Sequence, residues 1–170
     1  MAFNYSFRFC EDEKDILKVV GFLEKQPFDY PRYMDWVCRA KEELLAGYKK
    51  AILAFSDGVL VGDFIYQQHK DFPSVIEFKN ARVHEKLRRR FFLSFMIRQA
   101  EVEAGGNAII CDTHSDNYPV IGLLKSLGYQ ELLRAPIYDE NSEEIIFGKT
   151  FGKEKGIFVP IKKKILERAV

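Results

Sequence analysis

The chain has 170 residues, 47% hydrophobic and 14% aromatic, with a formal net charge of +1. That is one domain's length with enough apolar residues for a sizeable core, which excludes an intrinsically disordered chain. Near-zero net charge excludes a global basic footprint for nucleic acid and leaves electrostatic recognition to a local patch.

Tyr5, Ser6, Phe7, Arg8 and Phe9 alternate and predict a first strand. Glu11, Asp12 and Glu13 then precede an amphipathic run through Ile16, Leu17, Val20, Phe22 and Leu23, as acids at a helix start do. Pro27 and Pro31 break the chain, and a second helix carries Met34, Val37, Cys38, Leu44 and Leu45 up to Gly47. Residues 51–55 and 59–66 read as a hairpin around Ser56, Asp57 and Gly58. Residues 75–83 form a strand, followed by a basic turn and a helix from about Phe91 to Ala104. Ala108, Ile109, Ile110, Cys111 and Asp112 are a short, nearly all-apolar run, which suits a strand covered on both faces. A further helix starts at Asn117 and closes at Gly128; residues 131–138 and 144–151 read as a last antiparallel pair. The order is β-α-α-β-β-β-α-β-α-β-β, a layered α/β (α+β) arrangement with a parallel crossover at its centre. Residues 1–151 make the domain, and 152–170 a C-terminal extension with a short amphipathic helix.

Three features bear on chemistry. Lys79, Arg82, Lys86, Arg88, Arg89, Arg90 and Arg98 form a local basic patch at a helix N-terminus, where unpaired N–H groups and the helix dipole favour a phosphate. Cys10, Cys38 and Cys111 are widely spaced and His69, His84 and His114 are scattered, so neither a disulfide framework nor a metal site is expected. Cys38 and Cys111 read as small core residues. The first residues lack the pattern of a signal peptide, and no apolar run approaches a membrane span, so the expectation is a soluble cytoplasmic protein, monomer or homodimer.

Val83-His84-Glu85-Lys86-Leu87-Arg88-Arg89-Arg90 resembles V-H-P-x-(Y/L)-R-G-(K/R), and Ser94 falls in the first turn of the following helix. Residues 117–129, from Asn117 through Leu123, Leu124 and Gly128 to Tyr129, resemble N-x-x-A-x-x-L-Y-x-x-x-G-F. With the element order, these mark a resemblance to the GCN5-related N-acetyltransferase (GNAT) family over about residues 5 to 151. The resemblance implies a GNAT-like acyl-CoA N-acyltransferase fold, with a mixed central sheet, splayed parallel strands and flanking helices. It implies acetyl-CoA as acyl donor, its pantetheine arm on the backbone of Ala81, Arg82 and Val83. Its pyrophosphate would lie on Arg88, Arg89, Arg90, Phe91, Phe92, Leu93 and Ser94, with Asn117 on the arm. The sequence departs from the family loop (Q/R)-x-x-G-x-(G/A) by placing Phe91 and Leu93 at the small positions, and from its general-acid tyrosine by placing Leu124 there.

Acetyl transfer needs a neutral amine, a base and a proton donor. Glu77, on the central strand, is the base candidate; an outward-facing or salt-bridged Glu77 is the other reading. Asp112 and His114 follow the fifth strand and could hold a water or an amine, or form an ordinary turn and cap. Tyr138 could stand in for the missing tyrosine or be a packed sheet aromatic. Asp29, Tyr30 and Tyr33 fall where the family shapes its acceptor pocket. The first reading is direct transfer of acetyl from acetyl-CoA to a primary amine of a small molecule or a protein. The second is a non-catalytic binding module for acyl-CoA or another phosphate ligand. A nucleic-acid role through residues 88–90 and 162–164 is the third, disfavoured by the net charge.

Overall fold

The computed structural model describes residues 4–27, 32–105, 108–152, 156–167 and 169. Its elements are β1 (Tyr5–Phe9), α1 (Glu13–Glu24), α2 (Tyr33–Leu45), β2 (Lys49–Ser56), β3 (Val59–Gln68), β4 (Val75–Val83), α3 (Phe92–Ala104), β5 (Ala108–His114), α4 (Tyr118–Ser126), β6 (Gln130–Ala135), β7 (Glu144–Thr150) and α5 (Phe158–Leu166), with one 3-10 turn at Glu85–Leu87. The strand order is β1-β2-β3-β4-β5-β7-β6. β4 and β5 pair in parallel; β1 with β2, β2 with β3, β5 with β7 and β6 with β7 are antiparallel. This is the expected mixed sheet with flanking helices. The chain divides into two compact units, Met1–Gln67 with Lys79–Glu103 and Gln68–Phe78 with Ala104–Val170, and β4 runs through both.

In the first unit, Asp12 caps α1 by accepting from the Asp15 backbone N–H at 2.8 Å. α1 and α2 lay Ile16, Val19, Leu23, Val37 and Leu44 on the face of β2 and β3 that carries Ala51, Leu53, Phe55 and Ile65. The buried stripe of α2 is Tyr33, Val37, Ala40 and Leu44. Met34, Cys38 and Leu45 are exposed, contrary to the sequence expectation. Each follows a stripe residue by one position, which rotates it about 100° around the helix. α3 buries Phe92, Met96, Ile97 and Ala100. The Phe92 and Phe95 rings meet Phe7, with centroids 5.3 and 4.4 Å away. Gly62 makes room for this layer: a Cβ there would meet the Arg82 carbonyl oxygen at 2.9 Å and Met96 Cε at 3.4 Å.

In the second unit, the parallel register pairs Val75 with Ala108, Ile76 with Ile109 and Glu77 with Ile110. β5 buries Ala108, Ile109, Ile110 and Cys111, as its apolar run predicts. β6 ends at Ala135 rather than near Tyr138, because Pro136 has no N–H for the ladder. The C-terminal helix α5 docks here: Ile161 is fully buried with Val75, Ala108 and Ile110. Phe158 lies over Gly148 so closely that a Cβ at Gly148 would meet the Phe158 Cζ and Leu132 Cδ1 atoms at 2.7 Å. Gly148→Val is therefore expected to displace Phe158 and destabilise the fold by about 1–3 kcal/mol. Thermal melts and limited proteolysis at α5 check this; an unchanged melt would mean that Phe158 yields freely. Among the described residues no helix is long and apolar enough to cross a membrane.

Candidate functional site

The basic turn belongs to the first unit. β4 ends as the His84 N–H donates to the Val61 carbonyl at 2.8 Å, and the 3-10 turn at Glu85–Leu87 leads into the three arginines. Arg88 Nε donates to the Val83 carbonyl at 3.3 Å, and Arg90 Nη1 donates to the Tyr5 hydroxyl at 3.4 Å. All three arginines are exposed. Among the described residues none of them has a carboxylate partner. Arg89 and Phe91 both hold φ = +63°, a conformation that costs a side-chain-bearing residue about 1–2 kcal/mol. Arg89 stands at the glycine of the first pattern and Phe91 at the first small position of the loop pattern; Leu93, at the second, lies within α3. The turn thus keeps the backbone shape that glycine serves, in residues that are strained by it.

The first α3 bond runs from the Phe95 N–H to the Phe91 carbonyl at 2.9 Å, so the N–H groups of Phe92, Leu93 and Ser94 precede it. Phe91 in the capping position has no side-chain oxygen to offer them. Positive side chains and uncapped amides form a donor set suited to a phosphate. The Phe92 ring is buried against Tyr5 and Phe7, so only its backbone is part of that set. Ala81 is exposed and Val83 half-buried. Arg82, included in the patch on sequence grounds, leaves it: its guanidinium is buried under the Tyr33 ring, 5.0 Å from the centroid.

The second unit gathers the candidates for chemistry. Tyr138 donates its hydroxyl to Asp112 Oδ2 at 3.0 Å, joining two residues that the sequence places 26 positions apart. Strand alternation puts Val75 and Glu77 of β4 on the same face as Ala108, Ile110 and Asp112 of β5. Glu77 and Asp112 therefore share one sheet face, and Glu77 is half-buried. His114 is tied to Asp116, Nδ1 to Oδ1, at 2.6 Å. Asn117 Nδ2 donates to Thr113 Oγ1 at 3.1 Å. Leu124 is buried, where the family pattern has its tyrosine. Tyr33 is a core residue whose hydroxyl donates to the Leu23 carbonyl at 3.1 Å; Asp29 and Tyr30 lie outside the described residues.

Sequence reasoning missed a buried polar group in the first unit. Asp63 of β3 is fully buried, and Asn80 of β4 donates to its Oδ2. Its Oδ1 has no partner among the described residues. Burial pushes its carboxyl up to about 7, against the pull of the Asn80 hydrogen bond and the Arg82 charge. The only signal in the sequence was one acid inside the apolar run 59–66. A raised acid pKa means that the folded state keeps a proton that the unfolded chain releases near pH 4. Stability from this group is full below about pH 4 and falls as pH rises to about 7. The stability difference between wild type and Asp63→Asn is expected to fall by a few kcal/mol across that window, in urea titrations at several pH values. A difference flat in pH would remove Asp63 as the titrating group.

No protein-family model and no curated protein matches the chain. Solved structures do. A GNAT-family protein from Desulfovibrio desulfuricans matches with a TM-score of 0.76 at 16% identity, over 88% of this chain and 100% of that one. The ribosomal-protein-S18-alanine N-acetyltransferase from Escherichia coli matches with 0.69 at 13%, over 91% and 98%. The yncA protein of Salmonella typhimurium, solved with its cofactor acetyl-CoA, matches with 0.70 at 16%, over 90% and 97%. The chain has the fold of GNAT acetyltransferases.

Proposed function

We propose that this chain, folded as GNAT acetyltransferases are, is an acetyl-CoA-dependent N-acetyltransferase acting on a primary amine by direct transfer. The observation that carries the reading is the basic turn. It combines three exposed guanidinium groups without a carboxylate partner among the described residues, the backbone amides at the start of α3, and positive φ at Arg89 and Phe91. These residues fit the diphosphate of an acyl-CoA: Arg88, Arg89 and Arg90 supply charge, and the backbone from Phe92 to Ser94 supplies donors.

When bound, acetyl-CoA supplies an acetyl group activated as a thioester. Glu77 takes a proton from the amine nitrogen, directly or through water, so that the nitrogen lone pair can form the new amide bond. Breaking the carbon–sulfur bond leaves a thiolate that needs a proton. Leu124 has none to give, so Tyr138, hydrogen-bonded to Asp112, donates it. His114 and Asp112 orient the amine. The products are the acetylated amine and free CoA thiol; Glu77 is left protonated and Tyr138 ionised, and exchange with solvent water returns a proton from the first to the second, so that the net transfer is one proton from nitrogen to sulfur. Alanine N-acetylation by the Escherichia coli neighbour supports a protein N-terminus as one acceptor class to test.

A binding module without turnover is the second reading, favoured by Leu124 and by the bulk of Phe91 and Leu93. Calorimetry with acetyl-CoA, then CoA-thiol release with a panel of amines and peptides, separates the two. Binding with amine-dependent thiol release supports the enzyme. Binding without release across the panel supports the module. No binding at millimolar acetyl-CoA sinks the enzyme and leaves only a module for another phosphate ligand.

A further inference from the structure

Phe91 has no packing role that accounts for it. Its ring is 83% exposed, whereas Phe92 beside it is 4% exposed and packed on Tyr5 and Phe7. Among the described residues the Phe91 ring meets no other ring and no cation. It is held out by a backbone in the left-handed region, at a position where the motif pattern has glycine. The three arginines that precede it in the turn, Arg88, Arg89 and Arg90, have no carboxylate partner among the described residues. An exposed aromatic ring in the same turn as three exposed arginines is the chemistry of a purine nucleotide site: the base stacks on the ring, and the phosphates meet the guanidinium groups.

We propose that Phe91 is a base-stacking platform that holds the adenine of a phosphorylated adenosine ligand against the arginine turn. The inference rests on the acyl-CoA reading for the rest of the ligand. In a glycine-bearing loop, backbone amides approach the diphosphate closely. Here the ring adds a base contact beside that approach. Arg88, Arg89 and Arg90 then meet the 3′-phosphate as well as the diphosphate. The ligand class is an adenine nucleotide carrying several phosphates. The recognition lies in its nucleotide end rather than in its pantetheine.

The sign of one substitution decides between platform and obstruction. If the ring only obstructs, Phe91→Gly restores the motif and tightens CoA binding. If it stacks, Phe91→Gly and Phe91→Leu both weaken CoA by about 5- to 100-fold, while Phe91→Trp retains affinity. Calorimetry on the full chain reads this with three probes: CoA, 3′,5′-ADP and 4′-phosphopantetheine, which lacks the adenylate. Weakening of CoA and 3′,5′-ADP with phosphopantetheine unchanged is the expected result. Unchanged or tighter CoA binding in Phe91→Gly overturns the platform and leaves the acyl-CoA reading standing. Binding of 3′,5′-ADP that needs Phe91, without binding of CoA, keeps the platform and overturns the acyl-CoA reading. Failure of wild type to bind either adenine probe overturns the platform outright. Thermal melts confirm that each variant is folded.

Discussion

Replacing Arg88, Arg89 and Arg90 together by glutamine is expected to weaken acetyl-CoA binding by about a hundredfold. Charge-assisted hydrogen bonds contribute about 1.5–3 kcal/mol each when formed. These arginines are solvated, so a discount to about 1 kcal/mol apiece is appropriate. Three such contacts make about 3 kcal/mol, or two decades in affinity. The fold should be indifferent, because the lost contacts are two long ones, to the Val83 carbonyl and the Tyr5 hydroxyl. Calorimetry at low and high salt gives a second readout: wild-type affinity falls with salt and the variant's hardly changes. A variant within threefold of wild type would move the diphosphate away from this turn.

Glu77→Gln is expected to lower turnover by about a hundredfold or more while leaving the affinity for acetyl-CoA nearly unchanged, as removal of a general base does. Glutamine keeps the shape and hydrogen-bonding reach of the side chain beside Ile110 but cannot take a proton. The wild-type pH–rate profile should rise with pH on its acidic limb, as the base loses its proton, and the variant should lack that limb. Unchanged turnover, with or without a change in KM, would remove Glu77 from the role and leave Asp112 as the carboxylate on that face.

Much of the architecture was legible because period and punctuation agreed. Alternation in β1 and the hairpin of β2 and β3, acids before α1, and glycine at the end of α2 and α4 all mark elements that the fold contains. The basic turn was legible as an anion site, but its shape was not. Nothing in a run of arginine and phenylalanine says that residues 89 and 91 adopt positive φ, since those side chains disfavour it. The sequence pattern places Tyr138 in the sixth strand. Pro136 instead ends β6 early, and the chain beyond it turns so that the hydroxyl reaches Asp112. Arg82 and Lys86 look alike in a list of charges, yet strand alternation sends Arg82 under Tyr33 while Lys86 stays exposed. Asp63 was missed because its consequence depends on Asn80, 17 residues away.

The strand order β5-β7-β6 bears on synthesis of the chain. Among the described residues β7 is the last strand in chain order, yet it sits between two that precede it, pairing with β5 over seven residues and with β6 over five. Until residues 144–150 leave the ribosome, β5 has an unfilled apolar edge, and β6 has no partner. A chain translated from the N-terminus can settle its first unit early, but its second must wait. Stalling or nicking just before Glu144 would leave a long apolar edge open to pairing with another chain. The last strand thus acts as a keystone, and aggregation of prematurely terminated chains is its natural penalty.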